Sequence, residues 1–90
     1  MFELKTTFAF RKDLKKLRKR GANLNKLDFV ITKLLNGEVL EERFKDHALI
    51  GNYIGFRECH IEPDFLLIYC VDNNKLILTA VRVGSHSDLF

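Results

Sequence analysis

The pattern of polar and apolar positions changes its period along the chain. Phe2-Glu3-Leu4-Lys5-Thr6-Thr7 alternates, the period of two that fits a half-exposed strand. From Phe10 the period lengthens. Phe10, Leu14 and Leu17 recur at i, i+4 and i+7 with lysines and arginines on the other faces, which predicts an amphipathic helix. Thr6 or Thr7 is placed to cap its start, and Gly21 to end it in the left-handed conformation. A second helix is expected with Asn23 as its cap, Leu27, Val30, Ile31 and Leu34 as its buried stripe, and Asn36-Gly37 as its close. The short Gly-Ala-Asn link between them predicts an antiparallel helix hairpin.

Residues 38–54 show no sustained period and read as a long loop punctuated by Gly51. Loops of that length in compact domains usually serve a purpose. Three strand-like runs follow. Residues 56–62 alternate, Pro63-Asp64 turns the chain, and residues 65–71 are almost continuously apolar, as a central strand is. Asp72-Asn73-Asn74-Lys75 is a hairpin turn, and residues 76–83 are rich in β-branched side chains. The tail, residues 84–90, reads as too short for another element. Three consecutive strands with short links make an antiparallel meander. The first strand joins that sheet and the helix pair covers one face, giving a two-layer α+β fold with residues 1–90 as a single domain.

Composition narrows the class. The run 65–71 is far short of the roughly 20 apolar residues of a membrane-spanning helix. The mixed charges of residues 2–10 do not read as a signal peptide. With no membrane partner expected, the reading is a cytoplasmic chain. Cys59 and Cys70 lie inside apolar runs, where a free thiol acts as a small buried hydrophobe, and two cysteines do not make a disulfide framework.

The net charge of +3 hides a segregation. Residues 1–26 hold nine basic residues against two acidic ones, and residues 27–90 hold six against ten. Seven of the cations fall between Arg11 and Arg20. Such a cluster suits phosphate contacts with a nucleic acid, although a solvated helix face would look the same.

Titratable residues that stand out are concentrated in the second half: His47 in the long loop, His60 in the first meander strand, Asp64 at the turn, Arg82 near the end of the last strand and His86 in the tail. Strand parity sets His60 with Glu58 and Glu62 on the face opposite Cys59 and Ile61, and gives Arg82 the parity of Leu78 and Ala80. Cleavage of RNA by its own 2′-hydroxyl would use such a set. It needs a base for the hydroxyl, an acid for the departing 5′-oxygen and a cation against the extra transition-state charge. Histidine titrates near neutrality, and the arginine fork matches two phosphate oxygens. Taken singly, each residue has a plainer reading as a surface histidine, a turn aspartate, a surface ion pair or a frayed end. No ligand pair has zinc-motif spacing, so no metal is assigned.

Three segments change the balance when read together. They are Lys45-Asp46-His47-Ala48-Leu49 with Gly51, then Arg57-Glu58-Cys59-His60-Ile61-Glu62-Pro63-Asp64 with the apolar run behind it, and Arg82-Val83-Gly84-Ser85-His86-Ser87-Asp88-Leu89-Phe90. In this order and spacing the sequence resembles the YafQ branch of the RelE/ParE toxin superfamily, the mRNA interferases of bacterial type II toxin–antitoxin modules. The resemblance covers essentially the whole chain and implies a RelE-like fold. It places the functional set on His47, His60, Asp64, Arg82, His86 and Phe90. His86 is then the general acid and Arg82 the transition-state clamp, with His47, His60 and Asp64 sharing base and positioning duties and Phe90 stacking on a base. Lys45, Arg11, Lys15, Lys16 and Lys19 fall to substrate binding. One departure is Phe65, where the family often has tryptophan.

The resemblance further implies an endoribonuclease without cofactor or metal. Its partners would be mRNA, the ribosome and a cognate antitoxin, typically a ribbon-helix-helix dimer whose acidic segment wraps the toxin. Two alternatives remain at this point. One is a non-catalytic toxin of the same fold that blocks its target, as ParE-like relatives do; the other is a plain nucleic-acid-binding module using residues 11–20.

Overall fold

The computed structural model describes residues 1–90. Its elements are β1 (Glu3–Thr6), α1 (Phe8–Lys19), α2 (Asn25–Leu35), β2 (His47–Ala48), β3 (Arg57–Glu62), β4 (Phe65–Asp72), β5 (Ile77–Gly84) and α3 (His86–Leu89). The strands form one sheet in the order β1-β5-β4-β3-β2. β3, β4 and β5 are the expected antiparallel meander, and β1 joins it parallel to β5. The architecture is α+β, with α1 and α2 against one face of the sheet. Phe10 and Leu17 of α1 and Leu27, Val30 and Leu34 of α2 share a core with Cys59, Leu67, Tyr69 and Leu78 from the strands. Leu67 is fully buried, and its truncation to alanine would cost about 2–5 kcal/mol. On the other face a smaller cluster of Leu66, Ile68 and Leu89 carries the chemistry-bearing elements.

The apolar run predicted to be central does occupy the middle of the sheet, because β4 is covered on both faces: Leu67 and Tyr69 point to the helices, Leu66 and Ile68 to the second cluster. β1 pairs only with residues 77–80 of β5, so the edge of β5 beyond Ala80 needs other partners. The start of α1 supplies them. Thr7 donates its hydroxyl to the Val81 carbonyl at 2.6 Å while its own Oγ1 accepts from the Phe10 amide at 3.0 Å. The Asp13 carboxylate accepts from the Val83 amide at 3.1 Å.

Five expectations are corrected. The long loop contains β2, which pairs antiparallel with β3, and two single turns of tight helix at Glu42–Phe44 and Gly51–Tyr53. Two residues are too few for any period to show. The tail is not formless: Ser85 and Asp88 form a reciprocal capping box around α3. Asn23 is not the cap of α2, which is Leu24; the Asn23 side chain accepts from the Asn25 amide one position earlier. Cys70 is only half-buried, whereas Cys59 is fully buried.

The fifth correction matters most. Ile68 pairs with Arg82 but Tyr69 pairs with Ala80, so Val81 is the extra residue of a β-bulge. Strict alternation would have put Arg82 on the core face with Leu78 and Ala80, which are both fully buried. The bulge turns it away.

Candidate active site

β2, β3 and α3 bring the three histidines into one row. The ring centroids of His47 and His60 are 6.2 Å apart, and those of His60 and His86 are 5.9 Å apart. The row continues through Phe90, 6.4 Å from His86, to Tyr53, 5.5 Å beyond. His47 owes its place to the αL conformation of Lys45 (φ 48°), whose carbonyl accepts from Nδ1 of His47 at 2.6 Å. Asp46 between them is pinned from below, accepting from the Tyr69 hydroxyl at 2.6 Å and from Arg57 Nε at 3.3 Å. Burial first, and then that bond to Asp46, hold the Tyr69 hydroxyl far above its ordinary pKa, so it stays a donor.

Glu58 lies beneath the row. It is 5% exposed, and its Oε1 stands 3.5 Å from Nε2 of both His47 and His60. A carboxylate this buried is tolerated only where donors or cations face it, and His60 can donate from Nε2 whereas His47, with Nδ1–H spent on Lys45, does so only as the imidazolium. A carbonyl oxygen cannot donate, so His47 uses Nδ1–H toward Lys45. For His60, the nearby carboxylate favours the proton on Nε2 and leaves Nδ1 as the basic nitrogen.

His86 opens α3. Its amide and its Nδ1 both donate to the same oxygen of Asp64, at 3.0 and 2.9 Å. These two bonds hold the Asp64 carboxyl below the ordinary range, the backbone bond contributing most. The orientation leaves Nε2 of His86 as the outward nitrogen. Asp88 completes α3: its Oδ2 accepts from the Ser85 amide at 3.2 Å, and the carboxylate reaches Lys16 at 3.7 Å and Arg20 at 3.4 Å on α1. The bonds with Ser85, ahead of the two cations, lower its pKa.

Arg82 sits to one side of the row. It grips Asp13 of α1 with two bonds, Nε to Oδ2 at 2.7 Å and Nη2 to Oδ1 at 3.0 Å. That pairing, chiefly through the hydrogen bonds, raises the pKa of the guanidinium further. With Arg11, Lys12, Lys15, Lys16 and Lys19 it lines one open groove along α1. Lys45 lies elsewhere, in a cleft shared with His60.

The structure therefore gathers His47, His60, Asp64, His86 and Phe90 directly. It sets Arg82 with the predicted basic residues rather than against an imidazole. Sequence reasoning missed Glu58, Asp13 and Asp88 as parts of the assembly. The Ser85-x-x-Asp88 spacing of a capping box was a readable signal for the last. Nothing local marks Asp13 apart from its being the lone acid among seven cations of the first helix region.

The fold and the whole length of the chain are those of a type II toxin–antitoxin toxin. The family model described as the bacterial toxin of type II toxin–antitoxin system, YafQ, matches residues 2–90. The chain belongs to that YafQ toxin family. The mRNA interferase toxin YafQ of Escherichia coli K12 is 39% identical over 82 residues, covering 90% of this chain and 87% of that protein. A metal-bound toxin from Helicobacter pylori superposes with a TM-score of 0.93 at 43% identity, each chain fully covered. YafQ in the E. coli DinJ–YafQ complex superposes with a TM-score of 0.90 at 35% identity, covering 100% of this chain and 99% of that one. In the present chain no group of three or more His, Cys, Asp or Glu side chains is arranged to hold a metal ion.

Proposed function

We propose that this toxin is an endoribonuclease that cleaves mRNA by proton transfer between its own side chains. The observation that carries the reading is a pair of carboxylate–imidazole couples standing side by side: Glu58 with His60, and Asp64 with His86, their rings 5.9 Å apart. Each carboxylate fixes a tautomer, and the two imidazoles are close enough to serve one phosphodiester. His60 takes the proton of the 2′-hydroxyl through Nδ1, with His47 sharing the Glu58 carboxylate. The 2′-oxygen attacks phosphorus, and His86, entering as the imidazolium with Nδ1–H held by Asp64, delivers its Nε2 proton to the leaving 5′-oxygen and ends as the neutral Nδ1–H imidazole. The products are a 2′,3′-cyclic phosphate and a free 5′-hydroxyl. Arg82, whose Nη1 is not used by Asp13, offers charge to the phosphorane-like state, and Phe90 stacks on a neighbouring base.

The α1 groove holds the flanking phosphates and is also the surface an acidic antitoxin segment would cover, in line with the toxin–antitoxin complex formed by the E. coli relative. No helix is long and apolar enough to cross a membrane. With mRNA as substrate, the ribosome and the cytoplasm are the expected setting.

The test is mapping of cleavage ends on one mRNA, with and without ribosomes, for wild type and His86→Ala. Cyclic-phosphate ends that persist in a chelator and fall by about 10²–10⁴-fold in the variant are expected. Unchanged cleavage in His86→Ala, or strict dependence on a divalent ion, would remove the mechanism. No cleavage with arrested growth would leave a target-blocking toxin.

A further inference from the structure

A strand lying across the histidine row leaves it at two ends, and the reaction above accounts for only one. The His86 end adjoins α1, because Asp88 of α3 holds Lys16 and Arg20. On another side of the row, His60 lines a separate cleft of about 340 Å³, within the size range of ligand sites. Lys26 from the first turn of α2, Arg43 from the short turn before β2, and Lys45 line this cleft together with His60 and Glu62. Three cations thus share this wall with Glu62, and Glu41 stands behind Arg43.

None of these cations is committed to a strong partner. Lys26 meets Glu62 at 3.2 Å with both side chains about half or more exposed, a surface pair of little worth that a phosphate can displace. Arg43 lies 3.6 Å from Glu41, its guanidinium carbon sits 4.6 Å from the centroid of the Phe44 ring, and its side chain is 67% exposed. The hydrogen bond from His47 to the Lys45 carbonyl fixes the backbone that aims Lys45.

We propose that Lys26, Arg43 and Lys45 form a second phosphodiester-binding subsite, which holds the RNA strand on the side of the scissile linkage away from α1. This rests on the RNA-cleaving reading and extends it to two residues, Lys26 and Arg43, that neither the motifs nor the histidine row mark. RNA fits the cleft better than an acidic peptide does. A peptide segment needs several apolar anchors, and of the apolar side chains here Phe44 and Ile61 are each only 5% exposed, which leaves Pro63 alone. A phosphodiester needs only cations in line with the reacting group, and His60 is part of the same wall.

The experiment measures binding of the full chain to a single-stranded 2′-O-methyl oligonucleotide, which lacks the attacking hydroxyl, over a range of salt concentrations. The proteins are wild type, Lys26→Ala/Arg43→Ala and Lys75→Ala, the last on the distant hairpin turn. Single strands lose about 0.7 in the salt slope for each phosphate contact removed, so the double variant should lose about 1.4 and Lys75→Ala nothing. Cleavage of a dinucleoside monophosphate, whose only phosphate is the scissile one, should stay at the wild-type rate in the double variant. An unchanged salt slope overturns the subsite, and so does an equal loss on the dinucleotide. A loss confined to antitoxin binding also overturns it, and makes the cleft a protein contact. If wild type itself neither binds the oligonucleotide nor cleaves any RNA, the activity reading falls and the subsite with it.

Discussion

Asp64 accepts twice from His86, once from its backbone amide and once from its ring, through a single carboxylate oxygen. One bond sets the position of α3 and the other sets the tautomer of the imidazole. The Asp64 side chain is 68% exposed, so solvent screens the pair. Asp64→Asn keeps an acceptor for the amide and loses the charge behind the ring. Cleavage should fall by roughly 10–100-fold, less than the ~10⁴ seen when a buried triad aspartate is amidated. A rate equal to wild type, measured under single-turnover conditions, would show that the carboxylate does not act through His86.

The same contact has a pH dependence of known sign. The folded pKa of Asp64 lies below its ordinary value of 3.8, so its contribution is fully present above that value and is lost as pH falls through the lower, folded one. Asp88 behaves likewise. Acid should therefore loosen α3 before the sheet. Amide resonances of residues 85–90 should move below pH 3.8 while those of β4 hold, and Asp64→Asn should flatten much of that response.

Glu58→Gln separates chemistry from stability. The substitution keeps the shape and a side-chain acceptor while removing the desolvation cost of a buried charge. Cleavage should fall by about 10²-fold or more through misplaced protons on His60 and His47. The melting temperature should not fall. A large thermal loss with normal cleavage would make Glu58 a scaffold residue.

Thr7 is a joint between α1 and the bulge. Thr7→Ala removes the cap at about 1–2 kcal/mol and leaves the Val81 carbonyl without its partner at about 1 kcal/mol more. Urea unfolding should show a loss of about 2–3 kcal/mol, mostly recovered by Thr7→Ser. Arg82 follows Val81 directly, so cleavage should drop along with stability.

Gly84 is a test of close approach. A Cβ there would lie 3.1 Å from both Cβ and Oδ2 of Asp88, on a backbone with φ of 156°. Gly84→Ala must push α3 outward and carry His86 with it. A displacement near 1 Å costs about 10²-fold in rate, so cleavage should suffer far more than the unfolding midpoint.

What the sequence revealed depended on scale. The meander was legible because residues 65–71 are apolar without interruption and Asp72-Asn73-Asn74-Lys75 has one evident use. The helix hairpin was legible from its period. β2 and α3 were not, since two and four residues carry no periodicity and exist only through their pairing and capping partners. The three histidines and Asp64 stood out by residue type and by motif. Glu58 did not, because parity places it beside His60 without saying that β2 and His47 will cover it. The place of Arg82 was illegible for a different reason. A single bulge residue reverses the facing of everything beyond it, and Val81 looks like any other strand valine.

α3 has four residues, too few to be helical in isolation. It persists only while Asp64, Lys16, Arg20 and the second apolar cluster hold it against the sheet. Its opening is therefore a local event of lower free energy than unfolding of the β-sheet. On warming, the toxin should become harmless while most of its amide protons still resist exchange, and it should regain its potency on cooling without having to refold.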